Sequence, residues 1–251
     1  MNNDRGVFNI ITVRSIIDNL MYNDYYDLID QNMSDSNVGG RRQRKIRDNL
    51  FIVYGVMNYA LRENLEVDMG LYDLEKCFDS MWYEETMNDL WDAGIQDEKF
   101  ALIGKLNEKC NIAVKTPLGI TDRFQLERIE MQGTKFSNIK CSIQVDILGK
   151  DCYTSGEGLF LYKNRVYVPP LGIIDDIASF ALSGPDAIKT NAIINSKIES
   201  KKLKFGPSKC HNIHFGKLED TYSMLKVDSD IMNVKDYETY LGDIICKTGQ
   251  I

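Results

Sequence analysis

The run Leu171-Gly172-Ile173-Ile174-Asp175-Asp176-Ile177-Ala178-Ser179-Phe180-Ala181 sets two adjacent aspartates between two short apolar stretches. Apolar residues on both sides of a two-residue polar break predict two strands joined by a tight turn, with both carboxylates at the hairpin tip. A third carboxylate, Asp73, closes an earlier stretch in which Leu65, Val67, Met69 and Leu71 alternate with Glu66, Asp68 and Gly70, the period of a strand. If these strands are neighbours in one sheet, the three carboxylates converge. Carboxylates about 4 Å apart repel by roughly 1 kcal/mol in water and by several times that in a partly desolvated site, so such a cluster requires a cation. Oxygen donors with no histidine beside them favour Mg²⁺. A pair of such ions lets one oxygen attack phosphorus while another leaves, which is the chemistry of nucleotidyl transfer or nucleic-acid hydrolysis. The competing reading is a pair of turn aspartates bonded to nearby backbone.

The elements that must carry these residues follow from periodicity. Val13, Ile16, Ile17, Leu20, Met21 and Leu28 recur at three- and four-residue spacing and predict an amphipathic helix from Ile10 to about Asp30, packed on a sheet. The turn-forming run Met33 to Gly40 leads into Arg41-Arg42-Gln43-Arg44-Lys45-Ile46-Arg47. A second helix is expected from about Arg47 to Glu63, with Leu50, Val53, Tyr54, Met57 and Leu61 on one stripe. After Asp73 come two short helices, Trp82 to Trp91 and Glu98 to Asn107, then paired strands across Ile112 to Ile129 turning at Pro117-Leu118-Gly119. A helix carrying Phe136, Ile139, Ile143 and Ile147 precedes the extended runs Gly158 to Tyr162 and Val166 to Val168. Ser183-Gly184-Pro185-Asp186 signals a helix start. That helix should run to about Lys204 and pack through Ile188, Ile193, Ile194 and Ile198, with late strands at Cys210 to Phe215 and Tyr240 to Cys246. Helices and strands mix without strict alternation, and no internal repeat appears, so the fold class is α+β.

With 251 residues, 43% of them hydrophobic, the chain can bury a substantial core. No basic-then-apolar leader and no apolar run of membrane-spanning length is visible, so a soluble, intracellular protein is expected, nuclear or cytoplasmic and not secreted. Six cysteines without a Cys-x-x-Cys spacing suit reduced thiols. The net charge of -7 argues against a uniformly basic nucleic-acid binder, yet five of the seven residues from Arg41 to Arg47 are cationic. From Lys197 to Lys209 five lysines face one glutamate, a local +4. Cys210-His211-Asn212-Ile213-His214 crowds three zinc-ligand types on one strand without a partner cluster, which disfavours zinc. Two histidines outside the acidic segments disfavour a histidine-based hydrolase, and Gly156-Glu157-Gly158 lacks the third glycine of a dinucleotide loop.

Read in order, the chain presents Asn37-Val38-Gly39-Gly40-Arg41 with Asp48-Asn49-Leu50, then Tyr72-Asp73-Leu74-Glu75-Lys76-Cys77-Phe78-Asp79 and Gln132-Gly133 with Ser137. Ile174-Asp175-Asp176, Lys204-Phe205-Gly206-Pro207-Ser208-Lys209 and Tyr240-Leu241-Gly242 follow. In this order the segments resemble the motifs of a reverse transcriptase of the LINE-type (non-LTR) retrotransposons. Two departures stand out: Ile173-Ile174 replace the aromatic and alanine that usually precede the aspartates, and Asn138 follows Ser137 where the family commonly has proline.

The resemblance implies a polymerase palm, a small antiparallel sheet backed by helices. Residues 1–64 would be partial fingers and fingers-to-palm helices, residues 65–251 the palm, and the thumb would be absent. It implies an RNA-directed DNA polymerase that takes an RNA template, a DNA primer and deoxynucleoside triphosphates. Asp73 and Asp175 would hold two Mg²⁺ ions, Mn²⁺ being able to substitute, with Asp176 as a supporting carboxylate. Phe78 would press on the incoming sugar and exclude a 2′-hydroxyl. Gln132 and Gly133 would lie against nucleotide and template, and Lys209 would approach the leaving pyrophosphate. Arg41, Arg44, Lys201 and Lys204 would track phosphates. The alternative is a catalytically inactive retroelement remnant that folds or binds nucleic acid without synthesis. An RNA-directed RNA polymerase is a third reading, disfavoured by the bulk of Phe78.

Overall fold

Val67–Asp73 forms β1, the central strand, buried along all but its last residue. The chain is described here by a computed structural model covering residues 12–108, 110–126, 134–161, 165–182, 184–215 and 225–248. Beside β1 run β2 (Leu171–Ile173), β3 (Asp176–Ala181), β4 (His211–Phe215) and β5 (Asn233–Lys235), in the order β5-β4-β1-β3-β2. β1 is antiparallel to both β3 and β4, and β5 lies parallel to β4. A separate hairpin pairs β6 (Tyr237–Tyr240) with β7 (Asp243–Cys246). The helices are α1 (Thr12–Asn32), α2 (Ile46–Glu63), α3 (Cys77–Ser80), α4 (Tyr83–Asp92), α5 (Glu98–Asn107), α6 (Lys135–Thr154) and α7 (Gly184–Ser200).

The two-residue period of β1 divides its side chains between two cores. Met69 and Leu71 share one face with Phe180 and Phe215, and this face packs on Leu50, Val53, Met57 and Ala60 of α2 and on Tyr240 and Ile245 of the β6–β7 hairpin. Tyr72 and Ile177 point the other way, onto Cys141, Val145 and Leu148 of α6 and onto Ile194 and Ile198 of α7. A third core lies among helices and joins α1, α4, α5 and the start of α6. With both faces of the sheet covered, β1 is buried along nearly its whole length even though its sequence alternates, and Asp68 is buried among the apolar residues. The helix α2 stops at Asn64, whose left-handed backbone (φ 52°) lets its N–H reach the carbonyls of Ala60 and Leu61. Among the described residues no helix is long and apolar enough to cross a membrane.

Several sequence expectations change in three dimensions. α1 packs against α6 and not on the sheet, and its buried side chains include Met21, Tyr22, Tyr25, Tyr26 and Ile29, while Val13, Ile16 and Leu20 are exposed. Tyrosine rings supply the apolar face there, a contribution that a pattern of aliphatic residues overlooks. On α7, Ile188 is exposed and Ala187, Thr190 and Asn191 are buried in its place. The expected strand from Tyr240 to Cys246 is a hairpin turning at Leu241-Gly242, both with positive φ as a tight turn demands. The Ile112 to Ile129 region forms two small pairs, Cys110–Ile112 with Phe124–Leu126 and Lys115–Thr116 with Gly119–Ile120, as far as it is described. Ser183, the expected cap of α7, lies outside the described residues.

Candidate active site

The hairpin that carries the paired aspartates is set one residue away from the sequence expectation. Ile173 pairs with Asp176, so the two turn residues are Ile174 and Asp175, and Asp176 already belongs to β3. Ile174 has φ 58°, a left-handed conformation that a β-branched residue resists at a cost of about 1–3 kcal/mol. Such a turn persists only if its surroundings hold it. Residues 36–38 run beside β2: the Gly172 N–H donates to the Ser36 carbonyl (3.0 Å) and the Val38 N–H donates to the Gly172 carbonyl (3.0 Å). The Asn49 side chain donates to that same carbonyl from α2 (3.2 Å), and the Asn37 amide donates to the Ser142 carbonyl on α6 (2.8 Å). Gly39 fits beneath the tip; a Cβ there would stand 2.2 Å from Ser142 Oγ and 2.6 Å from the backbone nitrogen of Ile174.

The strand register brings the charges together. Asp73 and Asp176 are direct cross-strand partners in the β1–β3 ladder, and Asp175 adjoins them through its carbonyl, which accepts the Leu74 N–H (3.2 Å). Like charges directly opposite each other destabilise a sheet. Burial, with Asp175 and then Asp73 adding repulsion, pushes the Asp176 carboxyl up to about 6, against the opposing pull of Lys209. The Lys209 ammonium sits on both oxygens of Asp73, at 2.9 and 3.2 Å. The chain around that lysine is stitched to the strand. Gly206 donates to the Asp73 carbonyl (2.9 Å), Glu75 donates to the Lys204 carbonyl (2.8 Å), and Leu74 bridges Phe205. A 3-10 turn, Pro207–Lys209, then aims the lysine back at the carboxylate.

A cleft of about 270 Å³ opens at this point, lined by Asp73, Asp176, Ser208 and Lys209 on one side and by His211, Glu238, Thr239 and Tyr240 on the other. The carboxylates therefore face the β6–β7 hairpin across a space open to a ligand. His211 Nε2 lies 3.3 Å from Glu238, and burial holds its imidazole below the ordinary range, so it stands neutral. Asp73 and Asp176 offer the hard oxygen donors that a divalent ion takes, and the raised Asp176 marks negative charge that is not fully neutralised. Among the described residues no three histidine, cysteine or acidic side chains form a group able to hold a metal ion as arranged.

The other residues singled out in the sequence divide sharply. Phe78 lies on α3, half-buried against the second core and not among the cleft's lining side chains. Gln132 and Gly133 lie outside the described residues; the adjoining start of α6 is capped by Thr134, whose hydroxyl accepts the Ser137 N–H (3.1 Å). Arg41 is buried. Its guanidinium pairs with Asp30 (2.6 Å) and donates to the carbonyls of Ser34 (2.7 Å) and Asn37 (3.0 Å), so it clamps the loop under the hairpin instead of meeting solvent phosphate. Lys201 is likewise committed, to Asp89 in a mostly buried pair. Arg44 forms an exposed ion pair with Asp35, and Lys204 is exposed. His211 and His214 point to opposite faces of β4, the latter to Asp68 (3.1 Å), which removes any shared zinc site. Asn37, Gly39 and Asn49 form the site's frame; the sequence marked them as part of a segment resembling the family's fingers-to-palm motif but not as contacts of the aspartate hairpin.

Sheet, helices and cleft together define a reverse-transcriptase-like α+β fold. Searches of family models and of curated proteins find no match to the sequence. Solved structures do match. The telomerase of Candida tropicalis, truncated from its C-terminal domain, is 14% identical with a TM-score of 0.57 over 94% of this chain and 43% of that one. Apo telomerase of the same yeast gives 14% and 0.58 over 94% and 39%. Telomerase of Candida albicans, solved with the TWJ fragment of telomeric RNA, gives 12% and 0.57 over 96% and 38%. At these identities the likeness is one of fold, and the chain spans about two fifths of each telomerase chain.

Proposed function

We propose that the chain is the palm of an RNA-directed DNA polymerase, of the LINE-type retroelement kind that its motifs resemble. The observation that carries this reading is the cross-strand pairing of Asp73 with Asp176, with Asp175 in the adjoining turn, at a cleft within a reverse-transcriptase-like fold. Asp73, Asp175 and Asp176 would hold two Mg²⁺ or Mn²⁺ ions. Bound there, the ions would supply activation of a primer 3′-hydroxyl and charge neutralisation on a nucleoside triphosphate. The rest of the work belongs to this chain's own groups. The β6–β7 hairpin faces the carboxylates across the cleft and would seat the primer end, and among the described lining residues Lys209 is the one lysine or arginine that could meet phosphate oxygens. On the far wall burial lowers the tendency of His211 to carry a proton and Glu238 stands beside it, so phosphate would be drawn towards Lys209 rather than to that side. Deoxynucleoside triphosphates, an RNA template and a DNA primer are the substrates this reading requires. The Candida albicans telomerase was solved with an RNA fragment, which supports nucleic acid as the partner class.

The test is primer extension on an RNA template with deoxynucleotides and Mg²⁺ or Mn²⁺. Wild-type chain should extend the primer, and Asp73→Asn and Asp175→Ala should each lower extension by at least about 10³-fold while leaving the melting temperature near wild type. Extension that survives Asp175→Ala removes the metal site from the mechanism. Nucleic-acid binding with no extension in wild type identifies a non-catalytic remnant.

A further inference from the structure

We propose that Lys209 is a built-in counter-ion for Asp73, occupying its carboxylate in the metal-free chain and competing with a divalent ion for the same two oxygens. The inference rests on the polymerase reading only in taking Asp73 as a cation ligand. Three observations carry it. The ammonium contacts both Asp73 oxygens, at 2.9 and 3.2 Å, so neither is left wholly open to another cation. The placement is built and not incidental: Gly206 N–H to Asp73 carbonyl, Glu75 N–H to Lys204 carbonyl and the Leu74–Phe205 bridge fix the lysine-bearing turn along the end of β1. Finally, among the described residues Lys209 is the one lysine or arginine lining a cleft whose walls carry three carboxylates, Asp73, Asp176 and Glu238.

A cross-strand pair of aspartates needs positive charge to be tolerated in a sheet, and a tethered lysine provides it in the absence of metal. The side chain is 48% exposed, so the ammonium can leave for water or for a phosphate without opening a void. A triphosphate that draws Lys209 away frees Asp73 for a divalent ion. Metal and nucleotide therefore favour each other's binding, and by linkage the coupling is reciprocal.

The experiment measures Mn²⁺ affinity of the full chain without nucleotide, following free Mn²⁺ by electron paramagnetic resonance. Lys209→Gln should bind Mn²⁺ about three- to tenfold more tightly than wild type, since it removes a unit charge about 3 Å from the ligand oxygens in a half-exposed setting. Lys209→Arg, which keeps the charge, should stay close to wild type, and Asp73→Asn should lose the binding in either background. Equal or weaker affinity in Lys209→Gln, or undiminished affinity in Asp73→Asn, overturns the proposal. Circular dichroism melts of each variant exclude misfolding as the cause. The two readings fail separately: tighter Mn²⁺ binding without primer extension keeps the counter-ion and removes the polymerase, whereas extension with unchanged Mn²⁺ affinity does the reverse.

Discussion

Asp176 concentrates the electrostatic cost of the site. Its folded carboxyl titrates at about 6, above the ordinary value of 3.8, so the folded chain holds that proton more tightly than the unfolded chain does. The stabilisation from the bound proton is complete below about pH 4 and is lost as pH rises through 6. Thermal melts in chelator should show wild type losing stability over that window. Asp176→Asn, which cannot ionise, should be more stable than wild type by about 1 kcal/mol at pH 7.5, after discounting for partial exposure, and should lose that advantage near pH 4. A constant difference across the range would show that packing, not charge, sets it. Phe78 stands differently. It packs beside the second core and does not line the cleft, so its proposed role at the incoming sugar requires the nucleotide to reach α3. Phe78→Val should raise ribonucleotide incorporation in primer extension, and an unchanged preference removes Phe78 from that role.

At the scale of elements, the hairpin is held by segments that precede it in the chain. The 36–39 loop lies against both Gly172 and Ile174, and Arg41 clamps that loop to α1 through Asp30. Gly39→Ala places a Cβ where backbone nitrogen and a hydroxyl already stand, so it should destabilise the fold by about 2 kcal/mol in urea titration and weaken catalysis with it. Arg41→Ala removes the guanidinium from the Asp30 carboxylate and from the carbonyls of Asp30, Ser34 and Asn37 and should cost about 2–4 kcal/mol, with little change in the salt dependence of nucleic-acid binding. A marked drop in that salt slope would return Arg41 to a phosphate-contacting role. The basic run was legible as charge, but its charges partition: Arg41 turns inward, Arg42 stacks over Tyr26 at 4.1 Å, and Arg44 pairs with Asp35 on the surface.

Across the whole molecule, three cores share elements. The sheet separates the first two, and α6 contributes Cys141 and Val145 to the second and Phe136 and Ile139 to the third. The thiols of Cys77 and Cys141 meet at 2.6 Å where the segment after Asp73 crosses α6. Shared elements couple the cores, so unfolding should be one transition. Phe180→Ala in the first core and Ile139→Ala in the third should each lower the unfolding free energy read from that same urea transition, by about 3–5 and 2–5 kcal/mol respectively. Two separated transitions, one per variant, would show that the helical core unfolds independently of the sheet.

The sequence alone determined the residue types and their order: three carboxylates, a lysine-bearing turn after a long helix, and a β1 whose alternation survives as two buried faces. Those features are local, because strand period and turn chemistry are written in neighbouring residues. Tertiary structure decided which carboxylate faces which, since register between β1 and β3 is fixed by packing of segments far apart in the chain, and one residue of shift moves a side chain to the other face. It placed Asp175 in the turn and Asp176 opposite Asp73. It also decided where the cations went. Charge partners are chosen across space, so Lys209 reached Asp73 while Arg41 and Lys201 were spent on Asp30 and Asp89.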